Sequence, residues 1–143
     1  MATGMEHLFA ELFEAAGAGR RLGEAIAARA GQTQARWQTL WTLGTAPLTV
    51  PQVARRLGVS RQHILRLTNE LTTEGLIEPR PNPDHKTSPL LRLTPAGEST
   101  LATINEAALR SNDAILAELT PERVTELRDL LRRFTELVKE ADA

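Results

Sequence analysis

The sequence predicts a mostly α-helical fold that carries one small β-hairpin. Apolar residues recur at helical spacing along most of the chain. The pattern changes between residues 76 and 93, where two short apolar runs flank a polar loop rich in proline. A length of 143 residues is enough to bury one core and suits one compact domain. We therefore expect a single domain over residues 1–143.

Two helices are predicted in the N-terminal third. The first covers residues 5–29, and two glycines weaken its middle. The second covers residues 34–43 and ends before Gly44 and Pro47, with both tryptophans of the chain and Leu40 on one face. The first helix has one broad apolar stripe, formed by Leu8, Phe9, Leu12, Phe13, Leu22 and Ile26.

Residues 49–60 carry strong signals for helix boundaries. Thr49 and Gln52 stand three apart, so each side chain can bond the other's backbone N–H at a helix start. Gly58 is suited to end that helix because glycine tolerates positive φ. Ser60 is a good N-cap for the next helix. The segment therefore predicts two short helices joined by a tight turn.

The spacing of this helix pair is typical of a helix-turn-helix. Counted from Val50 as position one, Ala54, Gly58 and Ile64 fall at five, nine and fifteen, where small, turning and apolar residues are needed. Val59 and Ile64 are expected to fill the angle between the helices. The inner stripe of the second helix is Ile64, Leu67, Thr68 and Leu71.

The outer face of the second helix is polar and suits DNA. Arginine and glutamine make bidentate contacts to guanine and adenine edges. The candidate DNA-binding residues here are Ser60, Arg61, Gln62, His63 and Arg66, with Asn69 further along the face. A solvated helix face is the alternative. Leu65 lies off the inner stripe, so it meets either a thymine methyl group or the hairpin.

The hairpin is predicted from Leu76 and Ile77 on one strand and from residues 90–93 on the other. Three prolines hold the intervening loop open. Its tip is polar and partly basic, so His85 and Lys86 are candidates for contact with phosphates or the minor groove. An ordinary solvated loop is the alternative, more so for His85. A helix pair followed by such a hairpin predicts a winged helix-turn-helix.

Two further helices are predicted after the hairpin. Thr94-Pro95 and Thr120-Pro121 each place an N-cap before a proline at the first helical position. The last helix has apolar residues at alternating spacings of three and four, which is the pattern of a helix-packing seam. The seam is Val124, Leu127, Leu131, Phe134 and Val138, and Leu130 and Leu137 widen it. We interpret the surplus as a subunit interface; packing against the first helix is the alternative.

Three segments of the chain follow a known pattern: LTVPQVARRLGVS, NELTTEGLIEPRPNP and LLRLTPAG. They resemble the MarR family of bacterial transcription regulators, and the resemblance covers the whole chain. The resemblance implies N- and C-terminal dimerisation helices (residues 5–30 and 95–140) around a winged lobe (residues 34–94), and a homodimer on double-stranded DNA. The family usually has Asp-x-Arg at the wing tip, and the aligned positions here hold His85 and Thr87. Lys86 supplies positive charge without the planar fork of arginine.

The charge distribution favours the same interpretation. The whole chain has a net charge of −1. Residues 53–92 hold seven Lys/Arg and four acids, whereas residues 93–143 hold six Lys/Arg and ten acids. A basic candidate segment beside an acidic tail is the asymmetry that a duplex-binding module needs.

The composition argues against several other classes of protein. The chain has no cysteine, which excludes disulfides and thiol redox sensing. The three histidines lie far apart, so no metal site is predicted, and no motif indicates an enzyme or a cofactor. No apolar run is long enough to cross a membrane and no export signal is visible, so a cytoplasmic location is expected.

Both tryptophans lie on one predicted helix. In the family that the sequence resembles, small aromatic or phenolic effectors often bind near the second helix. Trp37 and Trp41 share a face, and Arg20, Arg21 and Arg36 are candidates to meet the carboxylate of a small aromatic acid. Burial of both tryptophans in the core is the alternative, and the usual burial of large aromatics favours it.

We therefore expect a sequence-specific DNA-binding transcription regulator that binds a pseudo-palindromic operator as a homodimer. Repression, relieved by a small aromatic ligand, is the expected mode. The alternative is a winged-helix protein without a small-molecule effector, acting through constitutive DNA binding or protein–protein interaction. A steep salt dependence of binding would favour DNA, since phosphate contacts release counterions.

Overall fold

The computed structural model describes residues 3–143 and confirms a mostly helical fold with a two-stranded antiparallel sheet. The chain forms two compact units, one that extends to Ala107 and one that covers Ala108–Ala143. The elements are α1 (Met5–Arg29), α2 (Gln34–Thr45), α3 (Val50–Leu57), α4 (Arg61–Thr73), β1 (Ile77–Arg80), β2 (Leu90–Leu93) and α5 (Pro95–Ala141).

The start of α2 is fixed by two capping interactions. Thr33 Oγ1 accepts a hydrogen bond from the Arg36 N–H at 3.2 Å, and Glu24 of α1 accepts one from the Gln34 N–H at 3.1 Å. A Cβ added at Gly23 would lie 2.8 Å from Cγ of Gln34, so this glycine lets α1 and α2 pack closely.

The end of α2 differs from the prediction. The helix continues through Gly44 to Thr45 instead of stopping before the glycine. Gly44 lies in a tight place, because an added Cβ would be 3.1 Å from Leu101 Cδ2 and 3.5 Å from Leu93 Cδ1. This glycine serves packing against later parts of the chain, so its position did not mark a helix end.

The helix pair α3–α4 forms as its boundary residues predict. Thr49 donates its N–H to Gln52 Oε1 at 2.8 Å, and Gln52 donates its N–H to Thr49 Oγ1 at 3.3 Å. Gly58 ends α3 with φ 69°. Ser60 caps α4 by accepting the His63 N–H at 3.1 Å.

The inner stripe of α4 is buried as predicted, together with Val53 and Ala54 of α3. Val59 was expected to share the angle between the helices with Ile64, and this expectation is wrong. Its N–H closes the turn on the Ala54 carbonyl at 3.1 Å, and its side chain stays 42 % exposed. Ile64 is fully buried and fills that angle.

The hairpin is tied to the helix pair through the backbone. β1 and β2 pair antiparallel, with Ile77 opposite Leu93 and Arg80 opposite Leu90. Leu48, in the connection from α2 to α3, bridges to Leu91 through backbone hydrogen bonds of 2.7 and 3.1 Å. The wing is therefore held by the segment that leads into α3.

The first turn of α5 is anchored on the turn that follows α4. Thr94 Oγ1 donates to the Gly75 carbonyl at 2.6 Å and accepts the Gly97 N–H at 3.1 Å. The Thr94 N–H donates to the Leu76 carbonyl at 3.1 Å. A Cβ added at Gly97 would lie 1.9 Å from that carbonyl oxygen. Gly97 therefore permits a backbone contact that no other residue allows without a shift.

The second Thr-Pro signal interrupts α5 as predicted. Thr120 has φ 65° and ψ 152°, outside helical values, and its Oγ1 accepts the Arg123 N–H at 3.4 Å. Ile115 and Leu119 continue the helical spacing of the buried Ile104 and Ala108, but both are exposed. Helical spacing identifies an apolar face without showing what covers it. Other exposed apolar residues of Ala108–Ala143 are Leu109, Leu127, Leu130, Leu131, Leu137 and Val138.

The apolar stripe of α1 is also only partly covered. Ile26 is buried, whereas Leu8, Phe13 and Leu22 are exposed in the single chain. Among the residues described, no helix is both long and apolar enough to span a membrane.

Candidate nucleic-acid interface

The candidate DNA-contacting residues of α4 lie on one face at its N-terminal end. Arg61, Gln62 and Arg66 are exposed and His63 is half-buried. Arg66 Nη2 lies 3.3 Å from His63 Nδ1. A guanidinium can only donate, so Nδ1 is the acceptor of this bond. The contact aligns Arg66 and His63 side by side on the exposed face.

The basic residues of this region differ in whether they have acidic partners. Arg36 pairs with Glu74, and Arg80 and Arg92 both pair with Glu78. Within residues 3–143, the ion pairs found do not use the basic residues of α3, the start of α4 or the wing tip: Arg55, Arg56, Arg61, Arg66 and Lys86. These charges stay uncompensated and attract a polyanion.

A hollow of about 540 Å³ lies between the start of α3, the start of α4 and the wing. Its lining includes Arg55, Arg61 and His85, which come from three different elements of the chain. Thr49, Gln52, Asn82 and Ser88 add polar groups. The fold thus brings the predicted wing residue His85 and the predicted helix residue Arg61 to one surface, where Arg55 adds a second cation and Asp84 one carboxylate. Lys86 lies next to His85 and is exposed.

Leu65 occupies the other side of α4, toward the wing. It lines a hollow of about 300 Å³ with Pro79, Thr87 and Pro89, and 48 % of its surface is exposed. The side chain therefore lies beside the hairpin, outside the core.

Trp37 and Trp41 line a third hollow, of about 470 Å³, with residues of α1 and α3. Trp37 donates its indole N–H to Asn105 Oδ1 at 3.0 Å and is half-buried. Trp41 is 56 % exposed. The alternative in which both tryptophans are core residues is therefore wrong for Trp41. Arg56 and Leu57 of α3 complete this apolar hollow with one cationic group.

The three arginines that the sequence connected with this region lie in different surroundings. Arg20 and Arg21 are exposed on α1. The guanidinium of Arg36, 13 % exposed, bonds Glu74 at 2.6 Å and Gln32 at 2.7 Å, with Glu70 at 3.8 Å. The hydrogen bond from Arg36 lowers the pKa of Glu74 below its ordinary value. The charge of Arg36 is therefore already engaged at the C-terminal end of α4.

Sequence reasoning did not select two residues that the structure makes prominent. No local signal indicates that Arg56 of α3 borders the tryptophan hollow. Asn82 bonds across the wing loop to the Ser88 carbonyl at 2.9 Å. The Pro-Asn-Pro segment at residues 81–83 contained a usable signal, because asparagine often bonds backbone groups in turns.

A capped helix pair, a hairpin wing and uncompensated basic charge on their shared surface define a winged-helix regulator of the DNA-binding class. The comparisons with known proteins agree. The sequence model described as the MarR family matches residues 30–86. A crystal structure of a MarR-family transcription regulator is 30 % identical with a TM-score of 0.68, covering 96 % of this chain and 99 % of that one. The chain belongs to the MarR family of transcription regulators.

Two other relatives are informative. An uncharacterized protein of Mycobacterium tuberculosis is 48 % identical over 139 residues, 97 % of either chain. A mutant MarR from Escherichia coli, crystallised with operator DNA, is 21 % identical with a TM-score of 0.72, covering 94 % of this chain and 99 % of that one. At this identity the latter comparison shows that the two proteins share the fold.

Proposed function

We propose that this protein is a sequence-specific regulator that binds a pseudo-palindromic operator in the cytoplasm as a homodimer and represses transcription. The observation that carries the proposal is the uncompensated basic surface of α3, α4 and the wing tip, next to arginines that are paired with glutamates. Repression follows from steric exclusion where an operator overlaps a promoter.

The proposal assigns different roles to the helix and the wing. The N-terminal end of a recognition helix enters the major groove, so Arg61, Gln62 and Arg66 meet base edges. Ser60 and His63 lie at the same end, where contacts to the DNA backbone fix the docking of the helix. His85 and Lys86 belong to the wing and contact phosphates.

The homodimer supplies a second recognition helix for the second half-site of the operator. Two recognition helices must reach successive major grooves, which are about 34 Å apart on one face of the duplex. The exposed apolar residues of α1 and those of Ala108–Ala143 support a proposal in which residues 5–30 and 95–140 join the protomers. The winged lobe, residues 34–94, then projects once from each protomer toward the DNA.

Selection of binding sites from random or genomic duplexes tests the proposal. We expect recovered sites with two inverted half-sites, two protomers per site and affinity that falls steeply with salt. Recovery of no preferred sequence, with binding insensitive to salt, would contradict a DNA-binding function and favour the protein–protein alternative. A reporter placed behind the selected operator then distinguishes repression from activation.

We also propose that a small aromatic acid binds in the hollow at Trp37 and Trp41 and weakens operator binding. Trp41 offers an exposed ring for stacking, and Arg56 lies at the same hollow. Arg56 is better placed for the carboxylate than Arg36, whose guanidinium is engaged with Glu74. Arg20 and Arg21 on α1 add positive potential nearby.

Calorimetric titration with a panel of aromatic acids tests this part, with Arg56→Gln as the variant that removes the cation. A ligand shifts DNA binding only by its differential affinity for the free and DNA-bound shapes. We expect one or more acids to bind the wild type, to bind Arg56→Gln more weakly and to reduce operator affinity. A panel without binding would favour the alternative of a regulator with no small-molecule effector.

A further inference from the structure

The loop of the wing is closed by one side chain. Asn82 donates from Nδ2 to the Ser88 carbonyl at 2.9 Å, and its Oδ1 accepts the Asp84 N–H at 3.1 Å. Both polar atoms of the amide are therefore engaged, Nδ2 across the loop and Oδ1 within the turn. Backbone bonds from the His85 N–H to the Asn82 carbonyl at 3.2 Å and from the Ser88 N–H to the His85 carbonyl at 3.4 Å complete the loop.

The burial pattern distinguishes the base of the loop from its exposed tip. Asn82 and Ser88 are half-buried, whereas residues 83–87 between them are exposed. Pro81 and Pro83 fix φ on either side of Asn82. The tip with His85 and Lys86 thus projects from a loop that the Asn82 amide holds at its base.

We propose that Asn82 is a positioning residue for DNA binding, which acts by holding Lys86 at the DNA backbone. The inference rests on the proposed function, because it assumes that the wing tip meets phosphates. A lysine contributes a point charge on a flexible stem, so its contact depends on where the loop places it. A loop that must be ordered on binding loses affinity to conformational entropy. The amide removes that cost by ordering the loop in the free protein.

The test is a double-mutant cycle in the full-length protein, made of Asn82→Ala, Lys86→Ala and the double variant. Fluorescence anisotropy measures affinity for a selected operator duplex over a series of salt concentrations. Each single variant should weaken binding about three- to tenfold and lower the slope of log K against log salt by about two, because one phosphate contact is lost in each protomer of the dimer. The double variant should bind more tightly than the product of the two single losses predicts, because Asn82 acts in part through Lys86.

Two results for the Asn82 variants overturn the inference. The first is an Asn82→Ala protein that has the wild-type salt slope. Its lower affinity would then reflect only a loss of folded protein, because the number of phosphates contacted would be unchanged. The other is a double variant whose loss is the product of the two single losses, because the residues then act independently. Thermal unfolding checks that each variant is folded.

The same data separate this inference from the proposed function. A wild-type protein without salt-dependent duplex binding overturns both. A wild type that binds DNA, with Lys86→Ala lowering the slope and Asn82→Ala leaving it unchanged, overturns the role of Asn82 alone. An operator affinity and slope unchanged in Lys86→Ala also overturn it, because the lysine contact that Asn82 is proposed to position would then not exist.

Discussion

Arg66 and Lys86 form no ion pair within residues 3–143, yet they are expected to act on DNA in different ways. Arg66 lies on the exposed face of α4 against His63, where a bidentate base contact is available. Arg66→Ala should therefore cost about 1–3 kcal/mol per half-site of the operator and relax specificity at one base in each half-site. Lys86→Ala should weaken binding to all duplexes alike.

Competition binding with the operator and an unrelated duplex measures this difference. Arg29→Ala, at an exposed arginine near the end of α1, serves as the control for loss of one positive charge. Equal losses of Arg66→Ala on both duplexes would place Arg66 on phosphates instead of bases.

Glu74 gives the stability of the protein a defined dependence on pH. Its pKa is lowered in the folded state by the hydrogen bond from Arg36, so its stabilising contribution is present above its unfolded pKa and is lost as pH falls through the lower, folded value. Glu74→Gln should therefore be less stable than the wild type at neutral pH, and the difference should vanish on acidification. Because the Glu74 side chain is half exposed, the difference should stay within about 1 kcal/mol.

Urea unfolding at a series of pH values measures this effect. Glu106→Gln, at an exposed carboxylate of α5, is the matched control. A difference between the wild type and Glu74→Gln that persists unchanged at acid pH would mean that the ion pair with Arg36 does not cause it.

At the scale of the elements, Gly97 controls how the start of α5 packs on the turn that follows α4. Gly97→Ala would drive a Cβ into the Leu76 carbonyl, and overpacking of this kind costs about 1–3 kcal/mol. The loss should lie at the upper end because backbone has to move. Chemical denaturation of Gly19→Ala provides the contrast, because outside the adjoining backbone of α1 no described residue lies within 4 Å of a Cβ there. That variant should gain about 0.5–1 kcal/mol through helix propensity.

If Gly97→Ala proves as stable as the wild type, the close contact between the start of α5 and the turn after α4 does not exist in solution. A neutral Gly19→Ala would instead indicate that a second protomer covers that face of α1.

The elements that the sequence predicted correctly are those with local causes. The capping box of Thr49 and Gln52, the left-handed Gly58 and the Ser60 cap all find their partners within five residues, so spacing alone reveals them. The end of α2 at Thr45 and the exposure of Val59 depend on how distant segments pack. The same division holds at the candidate site. The candidate residues of α4 could be predicted because they share one face of one helix. The positions of Arg56 and Asn82 could not, because they depend on contacts with other parts of the chain.

At the scale of the whole molecule, the proposed homodimer predicts that dimerisation and operator binding are coupled. Leu131→Glu places a charge on the exposed apolar seam of Ala108–Ala143. It should lower dimerisation and operator affinity together, because one protomer carries only one recognition helix. Analytical ultracentrifugation and operator titration measure the two quantities.

Thr125→Glu adds the same charge to the same helix at a position off the seam and is the matched control. Its hydroxyl donates to the Pro121 carbonyl at 3.1 Å, so its unfolding should be compared as well. A Leu131→Glu protein that is monomeric and yet binds the full operator normally would disprove the role of the dimer.

The two tryptophans of α2 make the protein its own optical probe. Trp41 is mostly open to solvent, so a collisional quencher such as iodide should extinguish its emission, which should lie toward longer wavelengths. Trp37 is half-buried and its indole N–H is held by Asn105, so its emission should be shifted toward the blue and resist the quencher. Replacing either ring by phenylalanine isolates the other, and the two signals then report separately on the hollow beside α3 and on the joint between α2 and α5.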